Sequence, residues 1–300
     1  MPLDLLSPHI KDLGGGFTVR RLLPAARRQA VGPFLFFDHF GPLQVQPADQ
    51  HDVRPHPHIG LATVTYLFDG ALLHHDSTGA RQRIEPGAVN WMTAGRGVVH
   101  SERRPPDLAG RSYGLHGLQL WVALPEAHEE AEPSFQHVAA ADVPAAGADG
   151  AQWRVLVGRA HGLLSPVATL SDTLFVDYQL APGSAVQLPG GDTGIQRALY
   201  VLHGTPWLRG ADRRARGVPP QQLALLADGE ALQLQAGDDP VRVVLVGGVP
   251  LGRRLIWWNF VASRPGVIER AALAWEHDAL GRLDGETERI PLPEARWRGE

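Results

Sequence analysis

Two stretches decide how this chain is read: "HPHIGLATVTYLFDG" at residues 56–70 and "WMTAGRGVVHSE" at 91–102. The first opens on His-x-His and the second closes on His-x-Glu. Between them, "ALLHHDSTGARQRIEPGAVN" (71–90) alternates short apolar runs with turn signals. On a strand, side chains at i and i+2 share one face. His56 and His58 can therefore point the same way, as can His100 and Glu102. Two adjacent strands would converge three imidazoles and one carboxylate on a single centre. That nitrogen and oxygen set suits a divalent first-row ion such as Fe(II), Ni, Mn, Cu or Zn. Without thiolates it is not a structural zinc knuckle. A six-coordinate ion would keep two positions for water or substrate. Pro57 suits an edge strand better than a central one. Any one of these histidines alone reads as a surface or hydrogen-bonding residue; the constellation points to a metal.

The rest of the chain narrows the class. It has 300 residues and no cysteine, which removes disulfides and thiolate chemistry. Formal charge is −4, with 12 Lys+Arg against 16 Asp+Glu in residues 1–150 and 16 against 16 in 151–300. Neither half has the basic excess of a nucleic-acid binder. The local "RRLLPAARR" (20–28) and "DRRARG" (212–217) read as solvated surface. The start carries Asp4 and Pro8 rather than a basic end and a long apolar run, so no signal peptide is expected. No run reaches the length of a membrane span. A soluble cytoplasmic protein is expected. Eleven of the fourteen histidines lie in residues 1–150, which places the chemistry in the first half.

Short runs rich in Val, Thr, Tyr, Phe and Trp, spaced by Gly, Asp and Pro, predict an all-β fold of sandwich or barrel type. They include 17–23, 61–68, 80–84, 88–92 and 115–124, then 152–158, 173–180, 185–189, 195–204, 221–226, 231–236 and 241–248. "AAADVPAAGADG" (139–150) reads as a linker between an N-terminal domain (1–138) and a C-terminal one (151–300). The halves echo each other: "YVLHGTPWLRG" resembles "YLFDGALLHHDS", and "LLADGEALQL" resembles "IEPGAVNWMT". "PGVIERAALAW" (265–275) sets Ile268, Ala271, Ala272 and Trp275 at helical spacing after Pro265. Residues 285–297 read as a covering segment.

The two histidine segments resemble the signature segments of the pirin family, within the bicupin folds. So do "GPFLFFDHFGP" (32–42), "HHDSTG" (74–79), "LQLWVALP" (118–125), "WWNFVASR" (257–264) and "GETERIPLP" (285–293), which together span nearly the whole chain. The resemblance implies two cupin-type β-barrels with a short C-terminal helix, and one divalent metal in the first. Its ligands would be His56, His58, His100 and Glu102. Fe(II) is the first choice, with Ni, Mn, Cu, Co or Zn as alternatives. Other cupins place a carboxylate soon after His-x-His; here Ala62 or Thr63 stands there, and Glu102 takes the role. The second half has no such set, and no metal is expected in it. Several pirins oxidise quercetin-like flavonols with O2, which implies a flavonol-like aromatic substrate and Glu102 as ligand and general base. Other pirins act as transcription cofactors or enzyme modulators, which would imply a protein partner. Direct nucleic-acid or membrane binding is not expected.

Around the site, His74, His75, His39 and His116 read as hydrogen-bonding or turn residues rather than ligands. Gly95 and Gly97 allow close backbone approach or positive φ. Phe34, Phe36, Phe37, Phe40, Leu61, Met92 and Val99 are candidates for an apolar pocket, shared with the core.

Overall fold

The computed structural model describes residues 3–14 and 16–299. Strands dominate it, and Pro265–Glu276 is the α-helix among the described residues. Among the described residues no helix is long and apolar enough to cross a membrane.

The chain divides into two compact units. The unit holding the histidine pairs comprises Ile10–Arg20, Phe37–Ala140 and Gly252–Glu300. Its seven-stranded sheet runs Ser134–Val138, Val89–Thr93, Leu61–Asp69, Tyr113–Ala123, Phe34–Val45, Thr18–Leu23, His9–Asp12. A four-stranded sheet runs Val53–His58, Val98–Arg103, Leu72–Asp76, Arg81–Ile84. Val53–His58 is its edge, as Pro57 requires, because proline cannot donate to a ladder. Helix Pro265–Glu276 begins on a proline, which gives up no hydrogen bond there. It buries Val267, Ile268, Ala271 and Trp275 against Ile59, Val99 and Phe260. Three of the four residues read from helical spacing are in that buried face, and Ala272 packs at its margin.

The second unit comprises Met1–His9, Arg21–Phe36 and Ala141–Leu251. Its seven-stranded sheet runs Asp4–Leu6, Leu223–Leu226, Gln196–His203, Val241–Gly248, Thr173–Leu180, Ala151–Val157, Ala145–Ala148. Its four-stranded sheet runs Ala185–Gln187, Gln233–Gln235, Trp207–Arg209, Ala215–Gly217. In both small sheets the chain-order sequence across the sheet is first, fourth, second, third. The echo between the halves is therefore one architecture used twice. The Tyr66 and Tyr200 runs occupy matching places. The other echo is offset: Leu223–Leu226 holds the place of Val89–Thr93 in its sheet. In this small sheet Val186, Leu208 and Leu234 pair across the strands and join the aliphatic core.

The units differ from the division 1–138, 139–150 and 151–300. The segments Met1–His9, Arg21–Phe36 and Gly252–Glu300 each count with the unit that the linear order assigns elsewhere. The stretch 139–150 is not a plain linker either. Ala145–Ala148 pairs with Ala151–Val157 through a two-residue turn, Asp149-Gly150, both at positive φ (49° and 82°). Asp-Gly is the sequence signal of such a hairpin, masked here by the alanines and glycines around it.

Two glycines bring the ligand strands close to other backbone. Gly60 has φ +67°, and a Cβ there would lie 1.9 Å from the Val261 carbonyl oxygen. Gly95 has φ +52°, with the Ala131 oxygen 2.0 Å from the same construction. The Gly60 N–H donates to the Gly95 carbonyl at 2.9 Å, tying the two turns together. Gly79 is also left-handed, at φ +92°, but nothing lies within 4 Å of its would-be Cβ. Gly79→Ala should cost about 1 kcal/mol, the conformational penalty alone. Gly95→Ala adds a backbone clash and should cost clearly more than that, about 3 kcal/mol. Equal denaturation midpoints for the two variants would refute this account of Gly95.

Candidate metal centre

The centre is built from the ladder between Val53–His58 and Val98–Arg103. Antiparallel register sets Val98 opposite His58 and His100 opposite His56. Three imidazoles thus gather on one face of two neighbouring strands. His56, His58 and His100 are buried, and their ligating nitrogens all lie within 4.8 Å of one another.

The ring orientations are fixed from behind. His56 Nδ1 donates to the Arg54 carbonyl at 2.9 Å, and His58 Nδ1 donates to the Asn259 carbonyl at 3.1 Å. Both rings therefore carry their lone pair on Nε2. His100 Nε2 is buried with no hydrogen-bond partner among the described residues. A buried polar nitrogen without a partner is costly unless something binds it. Burial is also the main reason the rings resist protonation. It pulls His56 down to about 4, opposed in part by the Arg54 hydrogen bond. It holds His58 and His100 well below the ordinary imidazole value, with neighbouring histidines adding to the effect. Neutral imidazoles with converging lone pairs are what a divalent ion needs, so the residues present fit such an ion.

Glu102 stands apart from this group. A register shift falls between His100 and Glu102, which sets Glu102 opposite Val53. Its carboxylate is not among the atoms within 4.8 Å of one another. It lies 3.4 Å from the Thr65 hydroxyl, with Gln119 as its other polar neighbour. Burial raises its pKa, and His74, Thr65 and Gln119 offset this only in part. The two sheets meet at this point, since Thr65 and Gln119 belong to the seven-stranded one and pair directly across it.

His74 lies next to the site, opposite Glu102 in register. Its Nε2 donates to Asp76 Oδ2 at 2.7 Å, and its Nδ1 is 3.5 Å from His100 Nδ1. Burial raises the Asp76 pKa, but donation from His74 and Thr78 outweighs it and holds the carboxyl low. Phe135 stacks on the His74 ring with centroids 4.5 Å apart. His39 and His116 pair with each other, Nε2 to Nε2 at 2.7 Å.

Trp121 touches a ligand ring, edge-on to His58 at 5.0 Å between centroids. Of the apolar residues named from sequence, Phe40 packs on Phe17, Val99 packs in the helix cluster, and Met92 joins Ala94, Val98 and Phe135. Phe34 and Phe175 both belong to the second unit and pack on each other there. Trp121 was legible in principle: Gln119 and Trp121 alternate on one face of their strand, opposite Thr65 and Thr63. The Asn259 carbonyl carries no such signal, because a backbone acceptor is invisible in residue identity.

The chain matches the family pattern described as "Pirin" over residues 16–122 and "Pirin C-terminal cupin domain" over 175–281. It is 42% identical to a "Pirin-like protein" of Caulobacter vibrioides, covering 95% of this chain and 96% of that one. It is 34% identical to "Pirin" of Homo sapiens over 93% of each. Among solved structures, a quercetin 2,3-dioxygenase from Acinetobacter baumannii superposes with a TM-score of 0.87 at 30% identity, covering 97% of this chain and 95% of that one.

Metal analysis should find one ion per chain. His100→Ala should weaken its binding by more than the roughly 10–100-fold typical of losing an outer-sphere partner, while His116→Ala keeps it. Equal metal content in both variants after dialysis against a mild chelator would overturn the assignment of His100.

Proposed function

This chain belongs to the pirin family, and from that premise and the three-histidine geometry we propose that it is a metal-dependent dioxygenase of quercetin 2,3-dioxygenase type. One observation carries the proposal: three buried, neutral imidazoles converge in a fold closely similar to an enzyme of that name. The ion is proposed to be Fe(II), held by His56, His58 and His100, with Glu102 as the fourth protein ligand. When bound, it supplies Lewis acidity toward a substrate hydroxyl and a route for electrons to O2. The substrate class is a flat flavonol, whose ring would lose C3 as carbon monoxide: the two atoms of one O2 go to C2 and C4, the C2–C3 and C3–C4 bonds break, and a depside remains.

The chain's own residues have defined tasks in this reading. Glu102 takes the proton of the flavonol 3-hydroxyl. Its raised pKa suits a base better than an ordinary carboxylate does. Thr65 and Gln119, from the facing sheet, hold the carboxylate in place. Trp121 offers an apolar edge beside His58 for an aromatic ring. The three histidines stay neutral because burial keeps protons off them.

Anaerobic purification and metal analysis, followed by quercetin turnover with O2 uptake, test the activity. No turnover by fully metallated protein would remove the enzyme reading and favour a regulatory, partner-binding role. Glu102→Gln keeps the size and one carbonyl oxygen but loses the basic site. Turnover per bound ion should fall by roughly 10²–10⁴, the usual worth of a general base. The wild-type rate should decline toward acid as Glu102 takes up its proton, and that limb should vanish in the variant. Wild-type turnover per ion in Glu102→Gln would leave Glu102 no role as base.

A further inference from the structure

Two segments outside the ligand strands bear on them: "WWNFVASR" (257–264), which supplies the Asn259 carbonyl, and "GETERIPLP" (285–293). Both lie against the ligand strands from behind. Strands Leu255–Trp257 and Phe260–Ala262 form a hairpin whose turn presents the Asn259 carbonyl to His58. Ile59 forms a parallel bridge with Phe260, and the Val261 N–H donates to the Ile59 carbonyl at 3.2 Å. Further along, the Ile290 N–H donates to the carbonyl of Pro55, the residue before His56, at 2.8 Å.

The contact at the other ligand strand is the most specific. Ser101 sits between His100 and Glu102, is fully buried, and points to the face opposite theirs. Its hydroxyl donates to Glu286 Oε1 at 2.6 Å. Two residues on, Arg103 donates to both oxygens of the same carboxylate. Glu286 therefore grips the strand at two points that bracket Glu102. Glu288 also reaches Arg103, at 3.0 Å, but has no contact with Ser101. The segment is itself anchored: Arg289 donates to the Trp275 carbonyl at 2.8 Å and lies 4.2 Å over the Trp275 ring.

We propose that Glu286 is a positioning residue of the metal centre, fixing the backbone between His100 and Glu102 through Ser101 and Arg103. The inference rests on the metal-site reading, not on the flavonol chemistry. Metal affinity and ligand field then depend on a carboxylate that touches neither ion nor substrate.

The test uses cobalt(II) as the probe on the full chain. It measures affinity by competition with a chelator and geometry by the visible ligand-field bands. Glu286→Ala should bind cobalt(II) roughly 10–100-fold more weakly, with shifted bands. Glu286→Gln keeps an acceptor for Ser101 and should fall between wild type and Glu286→Ala. Ser101→Ala should shift the same bands, and the double variant should be no weaker than Glu286→Ala alone. Glu288→Ala should leave both readouts at wild type. Unchanged affinity and bands in Glu286→Ala overturn the proposal, as does a Glu288→Ala that matches it, since charge near Arg103 would then suffice. If Glu286→Ala does not fold, Ser101→Ala decides alone, and wild-type bands there overturn the proposal. A wild-type chain that takes up no cobalt(II) would instead refute the metal site itself.

Discussion

The metal centre depends on the register of one short ladder. His100 faces His56 across the strands, and His58 follows two residues on. Side chains alternate along a strand, so a slip of one residue would turn the slipped strand's imidazoles away from those of its partner. Much of the surrounding structure holds that register. Gly60 and Gly95 tie the neighbouring turns by a backbone hydrogen bond. The helix packs on Ile59 and Val99, which lie beside the ligands in sequence. Carbonyl groups behind His56 and His58 then settle which nitrogen each ring presents.

Much of this was legible in the sequence, for a physical reason. Period-two spacing says which residues share a face, so His-x-His and His-x-Glu announced strand-borne pairs. Strand positions in both halves followed from β-branched and aromatic runs, and 173–180 and 241–248 match the strands found. What escaped has an equally physical cause. The register shift beside Glu102 comes from backbone pairing and leaves no mark on residue type. The interleaving of the two units depends on contacts between residues far apart in the chain. The Asp149-Gly150 hairpin is written in the sequence, but the small residues around it give the stretch the composition of a linker.

The repeated architecture separates fold from chemistry. Both small sheets share one strand order, yet one gathers imidazoles and the other buries Val186, Leu208 and Leu234. Aliphatic side chains there gain burial without the desolvation that polar groups suffer. The histidine-bearing sheet gives up part of that gain, and its buried nitrogens make sense once an ion satisfies them.

The placement of Asn259, Glu286 and Ile290 also bears on timing. A chain grown only as far as Ala140 already contains His56, His58, His100 and Glu102. It lacks the carbonyl that orients His58 and the carboxylate that grips Ser101. The order of synthesis thus separates possession of the candidate ligands from their final alignment. A fragment ending after the first histidine-rich half would hold the right residues in an unbraced form. The centre is encoded early in the chain and finished late.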